Sequence, residues 1–496
     1  MLKHLDYTAF QKQCGQGKCI PVFREFLADM ATPVSVLQQF QDDPAVFLLE
    51  SVEGAEKWAR YSFLGLNPYC ILREYPEEVQ ITDTHSGETQ HLRGADGLSE
   101  LKRLLAKRHL ASAPDLPPLL GGAIGYVAYD AVRKFEPVVK LPYEQCTPLM
   151  CFMLTDEMLI FDNLRHTIIV SVCVCDADYA DSKAAYDNAV ARIDAIIARL
   201  NAAKAAIPSI CGERNAASDA RFTPEMSCED FKREVEEAKE AIRNGECIQI
   251  VMSQKFTMPA PCEALRLYRA LRLINPSPYT FLTRFEDCTL IGASPEELVK
   301  LTSRTASVRP IAGTRPRGID RQSDLRNEDE MLASEKERAE HVMLVDLGRN
   351  DIGRVCAPGT VQIKELMTVE RYSHVMHLTS HVEGQLAAEH DCFSLFKAAF
   401  PAGTLSGAPK IRAMQFIAEH EHSARGIYGG AAGYFSYSGD MDFAIVIRTM
   451  ILKNGELTMR AGAGIVADSV PEDEYQETLN KSGAVFKAVE LAQKLG

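Results

Sequence analysis

The sequence predicts an α+β fold in which antiparallel β-sheets carry helices on their outer faces. Three observations support this prediction: many short runs rich in β-branched and aromatic residues, hairpin-type turns between them, and a few long stretches with helical periodicity. The chain of 496 residues exceeds one ordinary hydrophobic core, so we expect two to three domains or one large compound unit.

The N-terminal part is mostly of β type. Between residues 60 and 175, turn residues separate the runs RYSFLGL, YCILREY, AIGYVAYD, MCFMLTDEMLIFD and TIIVSVCVC. The Ala-rich stretch 180–205 has the period of a helix, and residues 207–223 have the Pro, Gly, Ser and Asn content of a connector. We therefore expect an N-terminal region, 1–206, the connector 207–223, and a C-terminal region, 224–496.

The C-terminal region alternates between helices and strands. Its first helix begins after Ser227, which caps it with Asp230, and ends at Gly245. Strands are predicted at CIQIVMSQKF, TLIGAS, GAAGYFSYS, FAIVIRTMILK and ELTMRAGAGIV, and Asn454-Gly455 is a strong hairpin signal. Further helices are predicted over 329–346, 391–400, 408–420 and 472–495.

The composition disfavours several classes of function. A net charge of −14 argues against a general nucleic-acid binder, so any site for a small anion must be a local basic island. No stretch approaches the roughly 20 apolar residues of a membrane-spanning helix. The 14 cysteines form no C-x-x-C pair, and the start MLKHLDYTAFQKQ lacks the apolar segment of a secretion signal. We therefore expect reduced thiols and a cytoplasmic location.

Two pairs of glutamates could bind a divalent cation. Glu337 and Glu340 lie in ERAE, and Glu474 and Glu477 lie in EYQE. The i,i+3 spacing places both carboxylates of a pair on one helix face. Two such faces that meet would form an oxygen-rich site for Mg²⁺. Each pair alone is more typical of a solvated helix surface, and acids are also favoured near a helix N-terminus.

Two glycine-rich stretches allow close approach of the backbone to a ligand. AGAGIV contains Gly462 and Gly464 but is not a G-x-G-x-x-G motif in a βαβ unit, so no dinucleotide site is predicted. A tight strand end is the alternative. FPAGTLSGAPK is not a P-loop and offers the hydroxyls of Thr404 and Ser406.

Histidines and basic residues complete the candidate chemistry. YSHVMHLTSHVEG holds His374, His377 and His381, which could bind zinc on a helix but would not share a face on a strand. One histidine acting as a general acid is the more plausible role. Arg448 and Lys481 could together hold a dicarboxylate, although each alone is more typical of an ordinary surface charge.

These stretches together resemble the chorismate-utilising enzymes. The similar motifs run in order from about residue 225 to 490, over half the chain: GECIQIVMSQKF, INPSPYTF, GASPEELV, PIAGTRPRG, EHVMLVDLGRNDIGRV, RYSHVMHLTSHVEG, FPAGTLSGAPK, GGAAGYFSY, AIVIRT and AGAGIVADSVPEDEYQET. The resemblance implies a large compound α+β fold of two packed antiparallel β-sheets with helices on the outside.

The resemblance also implies roles for individual residues. It assigns a Mg²⁺ site at the ring carboxylate of chorismate to Glu337, Glu340, Glu474 and Glu477. His377 would assist loss of the 4-hydroxyl, and Thr404 would lie beside the ring. Contacts to the substrate's carboxylates are implied for Gly313, Thr314, Tyr428, Arg448, Gly462, Ala463, Gly464 and Lys481.

Gln249 and Ala312 bear on the choice of nucleophile. Relatives that add water carry lysine in place of Gln249, and relatives that form aminodeoxychorismate typically carry lysine in place of Ala312. Glutamine cannot deprotonate water, alanine offers no amine, and ammonia is already nucleophilic. The resemblance therefore implies direct addition of ammonia and loss of pyruvate to give anthranilate, with aminodeoxychorismate formation as the alternative. A catalytically idle regulatory protein that binds tryptophan or chorismate is a third possibility.

Other stretches resemble the family's tryptophan feedback elements, namely LLES, RYSFLG and NPSPY. The resemblance implies inhibitor contacts from Leu49, Glu50, Ser51, Pro278, Tyr279 and Thr280. Relatives commonly carry methionine in place of Thr280, so apolar contact with an indole is reduced here. LLES alone is at least equally typical of an ordinary strand end. No G-x-C-x-G glutaminase motif with a downstream histidine is visible, so a glutamine amidotransferase subunit that supplies ammonia is the expected partner.

Overall fold

The computed structural model describes residues 2–51, 60–110, 116–143, 147–202, 221–371 and 375–494. Within these ranges, every helix is too short or too polar to cross a membrane. The strands are β1 (Lys3–His4), β2 (Cys19–Leu27), β3 (Val46–Glu50), β4 (Tyr61–Leu66), β5 (Cys70–Glu74), β6 (Glu78–Asp83), β7 (Thr89–Arg93), β8 (Gly122–Val127), β9 (Met150–Thr155), β10 (Glu157–Asp162), β11 (Thr167–Cys175), β12 (Thr223–Pro224), β13 (Gln249–Pro259), β14 (Tyr279–Arg284), β15 (Thr289–Ser294), β16 (Glu297–Thr302), β17 (Thr305–Val308), β18 (Ile311–Pro316), β19 (Gln362–Arg371), β20 (Val375–Gln385), β21 (Gly407–Ala408), β22 (Ala431–Ser436), β23 (Met441–Ile445), β24 (Thr449–Lys453) and β25 (Glu456–Ile465). The α-helices are α1 (Tyr7–Gln11), α2 (Pro33–Leu37), α3 (Gly97–Ala106), α4 (Val132–Phe135), α5 (Ser182–Ala202), α6 (Cys228–Arg243), α7 (Ala264–Ile274), α8 (Arg321–Ala333), α9 (Glu335–Gly353), α10 (Cys392–Ala399), α11 (Lys410–His420) and α12 (Pro471–Lys494).

These strands form two sheets whose strand pairs are antiparallel. The first sheet has the order β1-β2-β11-β10-β4-β3-β14-β15-β24-β25-β13-β12, with β21 also paired to β13. The second has the order β18-β20-β17-β16-β23-β22-β8-β9-β5-β6-β7, with β19 also paired to β20. The predicted α+β fold class, two packed antiparallel sheets with outer helices, is therefore confirmed.

Two large hydrophobic cores hold the layers together. One lies between the sheets and includes Phe47 of the first sheet and Phe152 of the second. The other covers the outer face of the first sheet, where Ile193 of α5, Leu267 of α7 and Val489 of α12 are buried. Burial of such side chains, at about 1.5–3 kcal/mol each, is the main force that packs these helices against the sheet.

Both sheets contain strands from both halves of the chain. β3 pairs with β14 in the first sheet, and β8 pairs with β22 in the second. Most of the predicted connector, 207–223, lies outside the described residues, because these end at 202 and resume at 221. The division into regions 1–206 and 224–496 stays a prediction.

The predicted helix cap and hairpin turn are confirmed. Ser227 caps α6 by accepting a hydrogen bond from the Asp230 N–H. Asn454 and Gly455, with φ of 51° and 75°, form the tight turn between β24 and β25. The helix predicted over 329–346 was wrong as one element, because Ser334 ends α8 and caps α9 through the Glu337 N–H.

Two predicted continuous strands are each divided between the two sheets. FAIVIRTMILK forms β23 in the second sheet and β24 in the first, and MCFMLTDEMLIFD likewise forms β9 and β10. The first break falls at Arg448, which has a φ of 49° that a strand does not accommodate. A similar crossing between sheets separates β15 from β16 at Pro295 and Glu296.

The cysteines differ in part from the expectation of reduced thiols. The register of β2 and β11 places Cys19 opposite Cys175, and the two form a disulfide with a Cα–Cα distance of 4.1 Å. The other cysteines in the described ranges are free. The spacing of cysteines in the sequence does not reveal the register between distant strands, so the sequence did not predict this disulfide.

Candidate active site

Glu296 and Arg448 lie where the chain crosses from one sheet to the other. The Arg448 guanidinium donates from Nη1 to Asn275 Oδ1 at 3.1 Å, and burial lowers its pKa. Burial raises the pKa of Glu296 to about 7, opposed by the Thr404 hydroxyl and by the positive charges of Lys481 and Arg448. A crossing leaves the sheet's hydrogen-bond ladder, so side chains there can point into the space between elements.

These interactions place four side chains in one neighbourhood, namely Glu296, Thr404, Arg448 and Lys481. Thr404 lies on a short 3-10 turn, Gly403–Leu405, and within the described residues its Oγ1 is buried without a hydrogen bond of ordinary geometry. Lys481 lies on α12 and is half exposed. A buried carboxyl that titrates near neutrality, a hydroxyl and two cations form a site suited to an anion that must be protonated or lose a group.

His377 lies on β20, beside the same arginine. Its Nδ1 is 3.1 Å from the Gly313 carbonyl oxygen and 3.1 Å from Thr314 Oγ1. Gly313 has a φ of 60° and forms a bulge in β18, which turns this carbonyl toward the histidine. Burial, together with the Arg448 charge, lowers the pKa of His377. The ring is therefore neutral at pH 7, and donation from Nδ1 to the Gly313 carbonyl leaves Nε2 as an acceptor.

The floor of the site is formed by β25 and β13. Gly462 lies opposite Ser253, and its carbonyl oxygen accepts from Lys481 Nζ at 3.1 Å. A Cβ at Gly462 would lie 2.9 Å from the Tyr428 hydroxyl, and a Cβ at Gly464 would lie 2.7 Å from Gln249 Nε2. Ala463, between them, is fully buried. Glycine is required at position 462, where a Cβ would also lie 2.7 Å from the Met252 carbonyl oxygen, and the glycines let Tyr428 and Gln249 pack close to the backbone of β25.

The predicted metal-binding glutamates lie on α9 and α12. Glu340 Oε1 is 3.5 Å from Gln249 Nε2, and Glu477 Oε1 is 2.6 Å from Lys481 Nζ. Burial raises the pKa of Glu474, and the Glu477 charge adds to this effect, whereas Ser469, Lys336 and Lys481 oppose it. Because Lys336 belongs to α9, the start of α9 lies within electrostatic range of the start of α12.

The donor set of these glutamates fits a hard divalent cation. Within the described residues, Glu337 Oε2 and Glu474 Oε2 are buried and accept no hydrogen bond. Unpaired buried carboxylate oxygens are costly unless a cation or a donor binds them. No three of the four carboxylates of the described residues have donor atoms all within 4.8 Å of one another, so the two pairs are not drawn into one compact cluster.

The arginines of PIAGTRPRG position the loop and balance charge. Arg317 donates from Nε and Nη2 to Asp324 at 2.9 and 2.8 Å, which ties the end of β18 to α8. Arg315 Nη1 is 2.5 Å from Glu337 Oε1, so it neutralises one of the predicted metal ligands. Ala312 is half-buried in β18 opposite Leu378 of β20 and brings no charge.

A cavity of 330 Å³ lies between the two sheets. Every residue predicted for inhibitor binding lines it: Leu49, Glu50, Ser51, Pro278, Tyr279 and Thr280. The carboxylate of Glu50 is held by Arg272 Nε at 3.0 Å and by the Tyr268 hydroxyl of α7. Its orientation in the cavity wall is therefore fixed by α7.

The same cavity contains an acidic pair. Burial raises the pKa of Glu297 to about 7, and the Asp442 charge adds to this effect. The Tyr279 hydroxyl lies 3.2 Å from Glu297 Oε2 and 3.0 Å from Asp442 Oδ1, and Lys300 Nζ is 2.8 Å from Asp442. The polar part of this cavity therefore holds acidic and basic side chains together, since Arg60, Lys300 and Arg309 line it as well.

The two sites are joined by short stretches of chain. Glu296 belongs to the catalytic neighbourhood, and its neighbour Glu297 lines the cavity between the sheets. Asn275, which accepts from Arg448, begins the segment that continues to Pro278 and Tyr279 in the cavity wall. The catalytic neighbourhood and the cavity are therefore connected through residues 275–278 and through the Glu296–Glu297 peptide.

Sequence reasoning missed Glu296 and Asn275. Both lie in quoted stretches, GASPEELV and INPSPYTF, but neither has a spacing signal that marks it as functional. An acidic residue beside a proline in an otherwise apolar run was the available cue for Glu296. His381 is bound to Glu383 at 2.7 Å on β20, and His374 lies outside the described residues, so the alternative of a triple-histidine site on a helix finds no support where the segment is described.

Comparisons with known proteins find related sequences and related structures. A family model described as chorismate binding enzyme matches residues 46–487. Proteins named anthranilate synthase component 1 from Acetivibrio thermocellus and Pseudomonas aeruginosa are 44% and 43% identical, and each match covers 96% of both chains. The crystal structure of anthranilate synthase component I from Streptococcus pneumoniae matches with a TM-score of 0.75 and 37% identity, covering 86% of this chain and 92% of that one. The menaquinone-specific isochorismate synthase from Escherichia coli, at 19% identity and a TM-score of 0.70 over 97% and 98% of the chains, shares the fold.

Proposed function

This chain belongs to the chorismate binding enzyme family, and on that premise we propose that it is the synthase subunit of an anthranilate synthase. It converts chorismate and ammonia to anthranilate and pyruvate, the first committed step of tryptophan biosynthesis. The observation that carries the proposal is the group of Glu296, Thr404, Arg448 and Lys481, in which a buried carboxyl able to donate a proton interacts with a hydroxyl and two cations.

The cations and the glycine-rich strand bind the substrate's carboxylates. The Arg448 guanidinium is oriented by Asn275, so it can present its remaining N–H groups to a carboxylate as a fork. Lys481 supplies a second positive charge, and the Gly462–Gly464 backbone allows close approach. Tyr428 and Thr314 offer hydroxyls at the edges of this surface. This assignment accounts for the basic island in a chain of net charge −14.

Loss of the 4-hydroxyl requires a proton, and Glu296 is the better donor. A carboxyl with a pKa of about 7 is protonated in a large fraction of molecules near neutral pH. His377 is neutral there, because its pKa is lowered, so its ring acts by accepting a hydrogen bond and orienting the leaving hydroxyl. The Thr404 hydroxyl beside Glu296 can orient the proton.

Glu337, Glu340, Glu474 and Glu477 would hold Mg²⁺, and the unpaired oxygens of Glu337 and Glu474 support this assignment. When bound, Mg²⁺ supplies positive charge that offsets a substrate carboxylate. Without the cation these carboxylates repel an anionic substrate. Arg315 and Lys481 reduce that repulsion by pairing with Glu337 and Glu477.

Gln249 and Ala312 favour ammonia as the nucleophile. The Gln249 amide faces Glu340 and Gly464, and it cannot remove a proton from water. Ala312 offers no amine to the ring. Ammonia carries its own lone pair, so the site needs only to admit and orient it. A glutamine amidotransferase subunit is the proposed source of this ammonia and the proposed partner in a hetero-oligomer.

The cavity between the sheets is the proposed site of feedback inhibition by tryptophan. Its apolar wall, including Phe63 and Phe281, suits an indole ring, and the acidic and basic side chains beside that wall suit the charged groups of an amino acid. Thr280 is buried and its hydroxyl donates to the Ser277 carbonyl at 3.2 Å, so its methyl group alone remains for apolar contact. Inhibition would reach the catalytic site through Asn275 and Glu296.

One assay separates this function from its alternatives. The purified chain is incubated with chorismate, Mg²⁺ and an ammonium salt at alkaline pH, and anthranilate fluorescence is followed. Accumulation of a non-aromatic amino product would instead identify aminodeoxychorismate formation. Tryptophan binding without any turnover would identify an idle regulatory protein.

A further inference from the structure

A group of two glutamates and two histidines lies outside the catalytic and inhibitor sites. Glu234 and Glu237 are one turn apart on α6, His420 is the last residue of α11, and His422 follows in the next loop. One donor atom each from Glu234, Glu237 and His420 all lie within 4.8 Å of one another. This cluster therefore links α6 to the C-terminal end of α11.

The distances suit a shared metal ion as well as they suit ion pairs. His420 Nδ1 is 3.2 Å from Glu234 Oε2 and 3.0 Å from Glu237 Oε2, and His422 Nε2 is 3.5 Å from Glu234 Oε1. Donor atoms around a tetrahedral zinc ion with bonds of about 2.0–2.1 Å lie about 3.3 Å apart. A single Nδ1 carries at most one proton, so it cannot donate an ordinary hydrogen bond to both carboxylates.

The histidines are held in place by contacts that do not depend on a metal. The His420 ring stacks on Phe416 with a centroid distance of 3.9 Å and an interplanar angle of 13°. Between the histidines, Glu421 accepts from the Ser253 N–H at 2.9 Å and from Arg425 Nη2 at 2.6 Å. Because Glu421 is held in this way, the backbone on either side of it directs His420 and His422 toward α6. Such preorganisation favours ligand binding.

The ligand set selects the class of metal. Imidazole nitrogen together with carboxylate oxygen suits zinc and neighbouring transition metals, whereas Mg²⁺ prefers oxygen ligands alone. The two carboxylates also balance the charge of a dication. Glu237 and His422 are each 47% exposed, so an ion can enter from solvent, while Glu234 is 9% exposed and forms the inner wall.

We propose that Glu234, Glu237 and His420 form a binding site for a transition-metal dication of the zinc class, with His422 beside it at the other oxygen of Glu234. The ion joins the middle of α6 to the C-terminal end of α11. This site is separate from the glutamates on α9 and α12 and does not depend on the proposed catalytic function.

The test measures zinc binding by the tag-free, full-length chain after treatment with a chelator. Zn²⁺ is titrated against a competing chelating dye in the presence of excess Mg²⁺. We expect one Zn²⁺ per chain and a rise in the unfolding temperature on addition of Zn²⁺, because the ion binds the folded state. His420→Ala should lower the affinity by more than the about 10–100-fold that loss of an outer contact causes.

His422→Ala and His91→Ala serve as the second variant and the control. His422 is half exposed, so its variant should unfold at the wild-type temperature without zinc but should bind zinc more weakly. His91 pairs with Glu78 at 3.2 Å without a third ligand among the described residues, so its variant should bind zinc like the wild type. Absence of stoichiometric binding, or wild-type affinity in both His420→Ala and His422→Ala, would overturn the proposal.

Discussion

Replacing Glu296 with glutamine should abolish most activity and, at alkaline pH, stabilise the protein. Glu296 is 9% exposed, and burial raises its pKa from 4.5 to about 7. At about 1.4 kcal/mol per pKa unit, this difference corresponds to about 3 kcal/mol for holding the ionised carboxylate in the folded site. Glutamine has nearly the same shape and no charge, so the variant avoids this destabilisation.

The sign of the pH dependence follows from proton binding. The folded state binds the Glu296 proton more tightly than the unfolded state does, so wild-type stability falls as the pH rises from about 4.5 toward about 7. Urea denaturation at about pH 5 and about pH 9 should therefore show the advantage of Glu296→Gln growing by about 2–3 kcal/mol. Loss of the general acid should lower ammonia-dependent anthranilate formation by about 10²–10⁴-fold.

Glu74→Gln is the matched control. Glu74 is also buried, with a pKa raised by burial, but it lies in neither the active-site neighbourhood nor the cavity between the sheets. This variant should keep wild-type turnover. The reasoning is refuted if Glu296→Gln turns over at the wild-type rate, or if its stability advantage is the same at both pH values.

Three further substitutions test the metal, the inhibitor site and the nucleophile. Glu340→Gln or Glu477→Gln should abolish turnover by removing metal-binding charge, as measured by anthranilate fluorescence across a Mg²⁺ titration. Ser51→Phe should keep activity but relieve inhibition by tryptophan, because the larger side chain occupies the 330 Å³ cavity that Ser51 lines. Ala312→Lys should reduce anthranilate release by offering an amine to the substrate, and mass spectrometry should detect the adduct.

Each of these has a result that contradicts it. Wild-type rates in both glutamine variants would show that the cation is bound elsewhere or is not needed. An unchanged half-inhibitory concentration of tryptophan in Ser51→Phe would remove the cavity from regulation. Normal anthranilate release by Ala312→Lys would show that residue 312 does not select the product.

Local features of this protein follow from the sequence by itself. The helix-face spacing of Glu337 with Glu340 and of Glu474 with Glu477, the cap at Ser227 and the turn at Asn454 depend only on neighbours in the chain. Such features are set by backbone dihedrals and by contacts within one turn. The resemblance of ordered motifs likewise predicted the two-sheet fold, because those motifs are contiguous stretches.

The tertiary structure decided what depends on distant contacts. Glu50 is held by Arg272, which lies 222 residues away, and no local pattern predicts that pair. Glu296 acquires its pKa only through burial where β15 passes to the other sheet, and Arg448 reaches the site because its strand is interrupted there. Strand pairing and desolvation act between segments that are remote in the chain, so the sequence supplied the chemical groups and the packing of the two sheets decided which of them meet.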